Sequence, residues 1–242
     1  KQAVSRIMLG KTMNAGQICL APDYLMVPEE KLDEVIGEIR DAVSSMYPKL
    51  LENPEYTSVV NDRHYQRLRA LVEDAEAKGA RKVELNPAGE TLDASTRKIV
   101  PTVLLDVNDD MKIMQEEIFG PVLPVMGYGQ LADAIAYVND HPRPLTLYYF
   151  DHDRDRVRHV LEQTVSGGAA VNETLLQFGI DDMPFGGVGA SGMGAYHGFE
   201  GFKTFSNEKG VLYQRRLNGT RILAPPYGKL LERLLAFLIG GR

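Results

Sequence analysis

The chain has 242 residues and a formal net charge of −6 at pH 7, with 44% hydrophobic and 25% charged residues. These values suit a globular protein with a real core and exclude a disordered or fibrous one. The acidic balance argues against nucleic acid, whose binders carry a basic stripe.

One cysteine, Cys19, excludes an internal disulfide framework and a multi-cysteine zinc site, and it suits a reducing, cytoplasmic compartment. No run approaches the roughly 20 apolar residues that span a bilayer, and no signal peptide is expected. The first residue is Lys rather than Met, so the chain is expected to be a piece of something longer.

In chain order, a mixed helical run opens the sequence and gives way to a turn before Cys19. Residues 29–46 place Leu32, Val35, Ile36, Ile39, Val43 and Met46 at helical spacing. A second helix is expected from Asn61, an N-cap, through Tyr65, Leu68, Leu71, Val72 and Ala75 to a stop at Gly79. Residues 82–85, 99–107 and 122–128 read as short strands. A helix at 130–139, a buried strand at 145–150, a helix around Val157, Val160 and Leu161, and a strand at 169–172 follow. This alternation predicts an α/β fold, a three-layer sandwich around a largely parallel sheet. Residues 183–201 are Gly-rich with no clean period, and a structureless stretch of that length inside a domain is usually functional. A strand at 211–214 and an amphipathic helix with Leu230, Leu231, Leu234, Leu235, Phe237 and Leu238 on one face close the chain. That stripe is expected to dock on protein or on a partner subunit rather than on a membrane.

Gly187-Val188-Gly189-Ala190-Ser191-Gly192 matches GxGxxG letter for letter. A dinucleotide fingerprint also needs a strand before it and a helix after it. Pro184 upstream, and Gly194 and Gly198 downstream, oppose both, so the loop is expected to pack closely against another backbone. A nucleophile elbow at Ser191 fails because position 193 is Met. The five histidines at 64, 141, 152, 159 and 197 show no metal-ligand spacing, and no metal is expected. Among them, His197 stands apart, inside the Gly-rich segment. Cys19 has no adjacent base and by itself reads as a small buried hydrophobe or as a nucleophile activated from elsewhere in the fold. Glu116-Glu117-Ile118-Phe119-Gly120-Pro121 reads as a charged loop, or as a carboxylate accepting from paired hydroxyls with a ring over a flat ligand.

Taken together, three blocks carry a resemblance. Asn14-Ala15-Gly16-Gln17-Ile18-Cys19, then Glu116 to Pro121, then Asn172 with Pro184-Phe185-Gly186-Gly187-Val188-Gly189-Ala190-Ser191-Gly192 occur in the order seen in the aldehyde dehydrogenase superfamily. Cys19-Leu20-Ala21-Pro22-Asp23-Tyr24 and Ser191-Gly192-Met193-Gly194-Ala195-Tyr196-His197-Gly198 resemble its class 3 branch, which includes bacterial coniferyl aldehyde dehydrogenases. The resemblance covers about residues 1–207, a catalytic domain, and residues 208–242 form a tail with an oligomerisation strand and the amphipathic helix. It implies that Cys19 is the nucleophile, passing through a thiohemiacetal and a thioester. It implies that Glu117 and Phe119 bind the ribose of NAD or NADP, and that Asn14, Asn172, Phe185 and His197 lie on the substrate side.

The family's general base and cofactor-binding domain would lie upstream of Lys1, so the isolated chain is expected not to turn over. The implied reaction is oxidation of an aromatic or medium-chain aldehyde, with coniferyl aldehyde foremost, by a cytoplasmic homodimer without nucleic-acid or membrane partners. An acylating dehydrogenase that passes its thioester to coenzyme A, and a non-catalytic scaffold, are the alternatives. A scaffold has no need of Cys19, Glu117 and Phe119 together.

Overall fold

The computed structural model describes residues 1–240. The chain divides into two compact units, Lys1–Phe205 and a second from Ser206 onward, and each is taken by itself.

In the first unit, α1 (Gln2–Thr12) buries Val4, Ile7, Met8 and Lys11 along one stripe. A short 3₁₀ turn, Met13–Gly16, ends it. The strand β1 (Leu25–Pro28) follows, then α2 (Leu32–Met46), which buries Ile36, Ile39 and Val43. The expected helix at 29–46 therefore starts later, because residues Glu29–Lys31 form a 3₁₀ turn after Pro28. In α3 (Asp62–Ala77) the N-cap is Asn61, whose side chain accepts from the backbone N–H of His64 at 3.0 Å. The chain leaves α3 at Gly79, with φ of +102°, a conformation open to glycine.

Strands β2 (Arg81–Glu84), β3 (Thr102–Leu105) and β4 (Val122–Tyr128) complete a four-stranded sheet in the order β1-β4-β3-β2. β1 and β3 both run parallel to β4, and β2 is the antiparallel edge. Every residue of β3 is buried, as expected for a strand covered on both faces. Its alternation sorts the core. Val103 and Leu105 join Leu123 and Val125 of β4 against α1 and α2, whereas Leu104 and Val122 face α3. The layers are α1/α2, sheet and α3, the three-layer arrangement that the alternation of elements suggested.

α4 (Leu131–Asp140) leads to β5 (Thr146–Tyr149), α5 (Arg154–Gln163) and β6 (Gly168–Val171). β5 and β6 pair in parallel as a separate two-stranded sheet, with α5 as their crossover. The Gly-rich segment is not structureless. It is closed by an isolated antiparallel bridge between Phe185 and Tyr196, and α6 (Gly198–Thr204) follows directly. The glycines at 194 and 198 thus did not prevent a helix, since Gly198 is its first residue, where the backbone is still free to turn.

In the second unit, α7 (Lys229–Leu238) is the amphipathic helix, with Leu230, Leu234, Leu235, Phe237 and Leu238 exposed. The strand expected at 211–214 does not form. An extended apolar run becomes a strand only when a neighbouring backbone takes up its hydrogen bonds, and no such ladder involves these residues among those described. No described helix is long and apolar enough to cross a membrane.

Ile39, fully buried between helix and sheet, gauges the larger core. Ile39→Ala is expected to cost about 2–5 kcal/mol, read as a lowered urea midpoint at unchanged slope.

Candidate active site

Three consecutive residues after α1, Asn14, Ala15 and Gly16, have φ of 50°, 52° and 72°. Non-glycine residues held there cost about 1–3 kcal/mol each and persist only where their surroundings over-determine them. The surroundings do so here. Asn14 Nδ2 donates to the carbonyl of Gln17 at 3.1 Å, and Gln17 Nε2 donates back to the carbonyl of Asn14 at 3.0 Å. The Gln17 amide also reaches a distant loop, donating to Ser58 O at 3.1 Å and accepting from Val60 N at 2.9 Å. Gly16 lies so close to Gly120 that a Cβ would fall far inside contact with the Gly120 carbonyl oxygen. Next along this braced loop comes Cys19, an exposed free thiol, which settles against the reading as a buried hydrophobe.

The close approach of Gly16 brings the second block to the first. Asp23 Oδ1 accepts from the Ile118 N–H at 3.0 Å. The Arg67 guanidinium donates to the carbonyl of Glu117 at 3.1 Å and also to that of Ile118. Ile118 is fully buried beneath the turn. With its backbone held from both sides, the turn lifts the Glu117 carboxylate and the half-exposed Phe119 ring, at φ of 51°, towards solvent.

A buried cation lies under this junction. Lys11 is 1% exposed, and burial pulls its ammonium down to about 8, against the attraction of Asp23 and Glu117. Burial in turn pushes the Asp23 carboxyl up, opposed by Lys11, the Ile118 N–H and Arg67. Glu117 is raised by partial burial and by Asp23, opposed by Arg67 and Lys11. Lys11 and Arg67 escaped the sequence analysis, and Asp23 appeared there only as a member of the block 19–24, without its role under the turn. The available signal was Lys11 itself, a charge in the buried stripe of α1 three and four residues beyond Met8 and Ile7.

The third block is held at two places, around Asn172 and around Phe185. Asn172 has φ of 59°, its carbonyl accepts from Arg6, and its Nδ2 donates to Asp151 O at 2.7 Å. Thr174 Oγ1 donates to Arg6 O at 2.8 Å. The side-chain amides of Asn14 and Asn172, both expected on the substrate side, are thus engaged with backbone carbonyls of Gln17 and Asp151. Phe185 and Tyr196 exchange two backbone hydrogen bonds of 2.8 Å. That bridge sets Phe185 against His197 with ring centroids 5.8 Å apart, and Phe178 joins them at 5.1 and 5.2 Å. His197 Nδ1 is buried without a hydrogen-bond partner. Phe178, missed in the sequence, has no motif to reveal it.

The glycines of the GxGxxG string serve backbone packing. A Cβ on Gly187 would collide with Ser191 O, and one on Gly167 with Gly186 O. Ser191 Oγ bonds locally, to Val188 N and O at 3.0 Å each, which leaves neither a dinucleotide turn nor an exposed serine.

The aldehyde dehydrogenase family profile matches residues 1–211. The chain belongs to the aldehyde dehydrogenase family. A coniferyl aldehyde dehydrogenase of Pseudomonas sp. (strain HR199) is 48% identical over 236 residues, covering 97% of this chain and 49% of that protein. The structure of a Staphylococcus aureus AldH in its substrate-bound state superposes with a TM-score of 0.85 at 40% identity, covering 98% of this chain and 51% of that one. A Mycobacterium tuberculosis aldehyde dehydrogenase complexed with NAD⁺ superposes at 0.77 with 28% identity, covering 90% and 45%. The chain therefore spans about half the length of the curated relatives it matches. Within the aldehyde dehydrogenase family frame, the residues at hand suit a dinucleotide's ribose. The Glu117 carboxylate accepts no hydrogen bond among the described residues and so keeps its lone pairs for hydroxyl donors, with the Phe119 ring two residues on.

Gly16→Ala is expected to destabilise the first unit by about 2 kcal/mol or more, from positive φ and collision with Gly120 together, measured by urea unfolding. Lys11 gives a pH signature. Between about 8 and its ordinary 10.5 it is neutral in the fold and charged in the unfolded chain. The unfolded state then binds more protons, so this residue makes stability rise with pH across that window. Urea midpoints measured near both ends are expected to show this rise in the wild type relative to Lys11→Met; identical pH slopes would refute it.

Proposed function

We propose that the whole protein oxidises an aromatic or medium-chain aldehyde, coniferyl aldehyde foremost, to its carboxylic acid with NAD⁺ or NADP⁺, and that Cys19 is the nucleophile. One observation carries this reading. The only thiol in the chain is exposed on a strained loop that is braced on the turn presenting Glu117 and Phe119. Strain of that kind is retained where it holds a functional group in place.

The Cys19 sulfur, as thiolate, adds to the aldehyde carbon, and the resulting oxyanion is met by the backbone N–H of Cys19. NAD(P)⁺, when bound, is the acceptor of the hydride that leaves this carbon. Loss of hydride from that oxyanion, the deprotonated thiohemiacetal, would leave a neutral thioester on Cys19. Water then attacks the thioester carbonyl, the C–S bond breaks, and acid and free thiol are released. Sulfur suits both halves, because it adds readily and leaves an acyl group reactive enough to hydrolyse. Glu117 accepts from the ribose hydroxyls, and Phe119 packs beside that sugar. Phe185 and His197, with Phe178, form the aromatic wall on the aldehyde side, and Asn14 and Asn172 border it while holding their loops.

The coniferyl preference is supported by the 48% identical Pseudomonas enzyme of that name and by this aromatic wall. A cytoplasmic homodimer is part of the proposal. The lone cysteine suits a reducing compartment, and the exposed apolar stripe of α7 suits cover by a second copy. With a net charge of −6, nucleic acid is not a partner in this reading.

The test uses the full-length protein, with NADH or NADPH formation followed for coniferyl aldehyde, benzaldehyde and straight-chain aldehydes. The wild type is expected to favour coniferyl aldehyde, and Cys19→Ser to lose activity by on the order of 10³-fold or more. Turnover by Cys19→Ser near the wild-type rate would remove the nucleophile assignment. Absence of turnover in the wild type with every aldehyde and both cofactors would favour the scaffold.

A further inference from the structure

Tyr148, on β5, takes no part in either core cluster of the first unit. Its hydroxyl nevertheless has all its hydrogen-bonding capacity in use, one donor and two acceptor lone pairs. It donates to Leu20 O, the carbonyl that follows Cys19, at 2.9 Å. It accepts from the Leu175 N–H at 3.2 Å and from Gln177 Nε2 at 3.1 Å. One phenol thus joins the nucleophile's loop to the loop of residues 172–177.

Both loops are strained. Asn172 and Leu175 have φ of 59° and 64°, echoing Asn14 and Ala15 on the other side. At its far end the second loop is already fastened to α1 through Arg6, Asn172 and Thr174. Gly10 of α1 permits this close approach, since a Cβ there would lie 2.6 Å from Thr174 Oγ1. The α1 fastening lies upstream of Cys19 and the Tyr148 fastening lies downstream of it. Without the phenol the gap between the loops is set at one end only.

We propose, building on the assignment of Cys19 as nucleophile, that Tyr148 is a positioning residue. Its hydroxyl clamps the Cys19–Leu20 segment to the loop of residues 172–177 and sets the geometry in which the thiol meets the aldehyde. Reacting atoms must be held at about 3–3.5 Å, and a misplacement near 1 Å costs on the order of 10²-fold in rate. The ring alone cannot do this. A Phe at 148 would keep the ring yet leave Leu20 O, Leu175 N–H and the Gln177 amide without their shared partner. Gln177 is the weakest arm, because its Oε1 is buried with no partner and it reaches the phenol through a side chain rather than through backbone.

The experiment is a pre-steady-state burst of NADH or NADPH formation by the full-length enzyme, comparing wild type, Tyr148→Phe, Gln177→Leu and Cys19→Ser. Tyr148→Phe is expected to slow the burst about 10- to 100-fold, and Gln177→Leu about three-fold. The cofactor dissociation constant, measured by fluorescence titration, is expected to stay within about two-fold of wild type, as Glu117 and Phe119 are not touched. A folded Tyr148→Phe with a wild-type burst rate overturns the proposal. So does a loss in which burst rate and cofactor affinity fall in parallel, which marks general loosening of the fold. If Tyr148→Phe does not fold, a wild-type burst in Gln177→Leu overturns it. A burst retained in Cys19→Ser instead removes the nucleophile assignment, whereas a dead Cys19→Ser beside an unaffected Tyr148→Phe removes only the clamp.

Discussion

The carbonyl oxygen of Gly120 lies where a side chain at residue 16 would begin, and this backbone-on-backbone contact is the constraint on which the candidate site depends. It couples the end of α1 to the turn before β4, two segments more than a hundred residues apart in sequence. On one side the chain can make the contact only by running through three left-handed residues. On the other, Gly120 is itself pressed against the side chain of Leu68 from α3, so the helical layer beneath the sheet sets how high the turn stands. Core packing, loop strain and the approach of the Cys19 loop to the turn that carries Glu117 and Phe119 are in this sense one arrangement.

Charge does the remaining work at this junction. Asp23 and Arg67 satisfy the backbone of the 117–118 turn in complementary ways, the carboxylate accepting from an N–H and the guanidinium donating to two carbonyls. Charge-assisted bonds of this kind are stronger than neutral ones. They also leave the Glu117 side chain free. Lys11 is the cost of the arrangement, an ammonium almost wholly removed from water and balanced through space by Asp23 and Glu117. A buried charge is retained against its desolvation when neighbouring opposite charges balance it, and the carboxylates of Asp23 and Glu117 do so here.

The elements legible in advance were those with a clean period. Asn61 before the stripe Tyr65, Leu68, Leu71 and Ala75 announced α3 to within a residue, because capping and helical spacing are local properties. Residues 122–128 read correctly as a strand for the same reason. The run at 211–214 has equal apolar character and forms no strand, since a strand is a pair property and needs a neighbour's hydrogen bonds. β1 went unread because four residues ending in proline give too little alternation. The site divides in the same way. Cys19, Glu117 and Phe119 stood out through motif blocks, whereas Lys11, Arg67, Tyr148 and Phe178 carry no local pattern, and Asp23, though inside the block 19–24, acquires its role only from contacts across the fold.

By itself, the sequence determined the residue types, the helices with their caps, the apolar alternation that demands a covered sheet, and the glycines wherever two backbones meet. Only the tertiary structure decided which backbones those are, that Gly16 meets Gly120 and that the phenol of Tyr148 ties Leu20 to Leu175 and Gln177. The physical reason is range. Capping, helical period and turn preference act over a few residues, while close packing and buried hydrogen bonds join residues whose separation along the chain carries no signal of their distance in space.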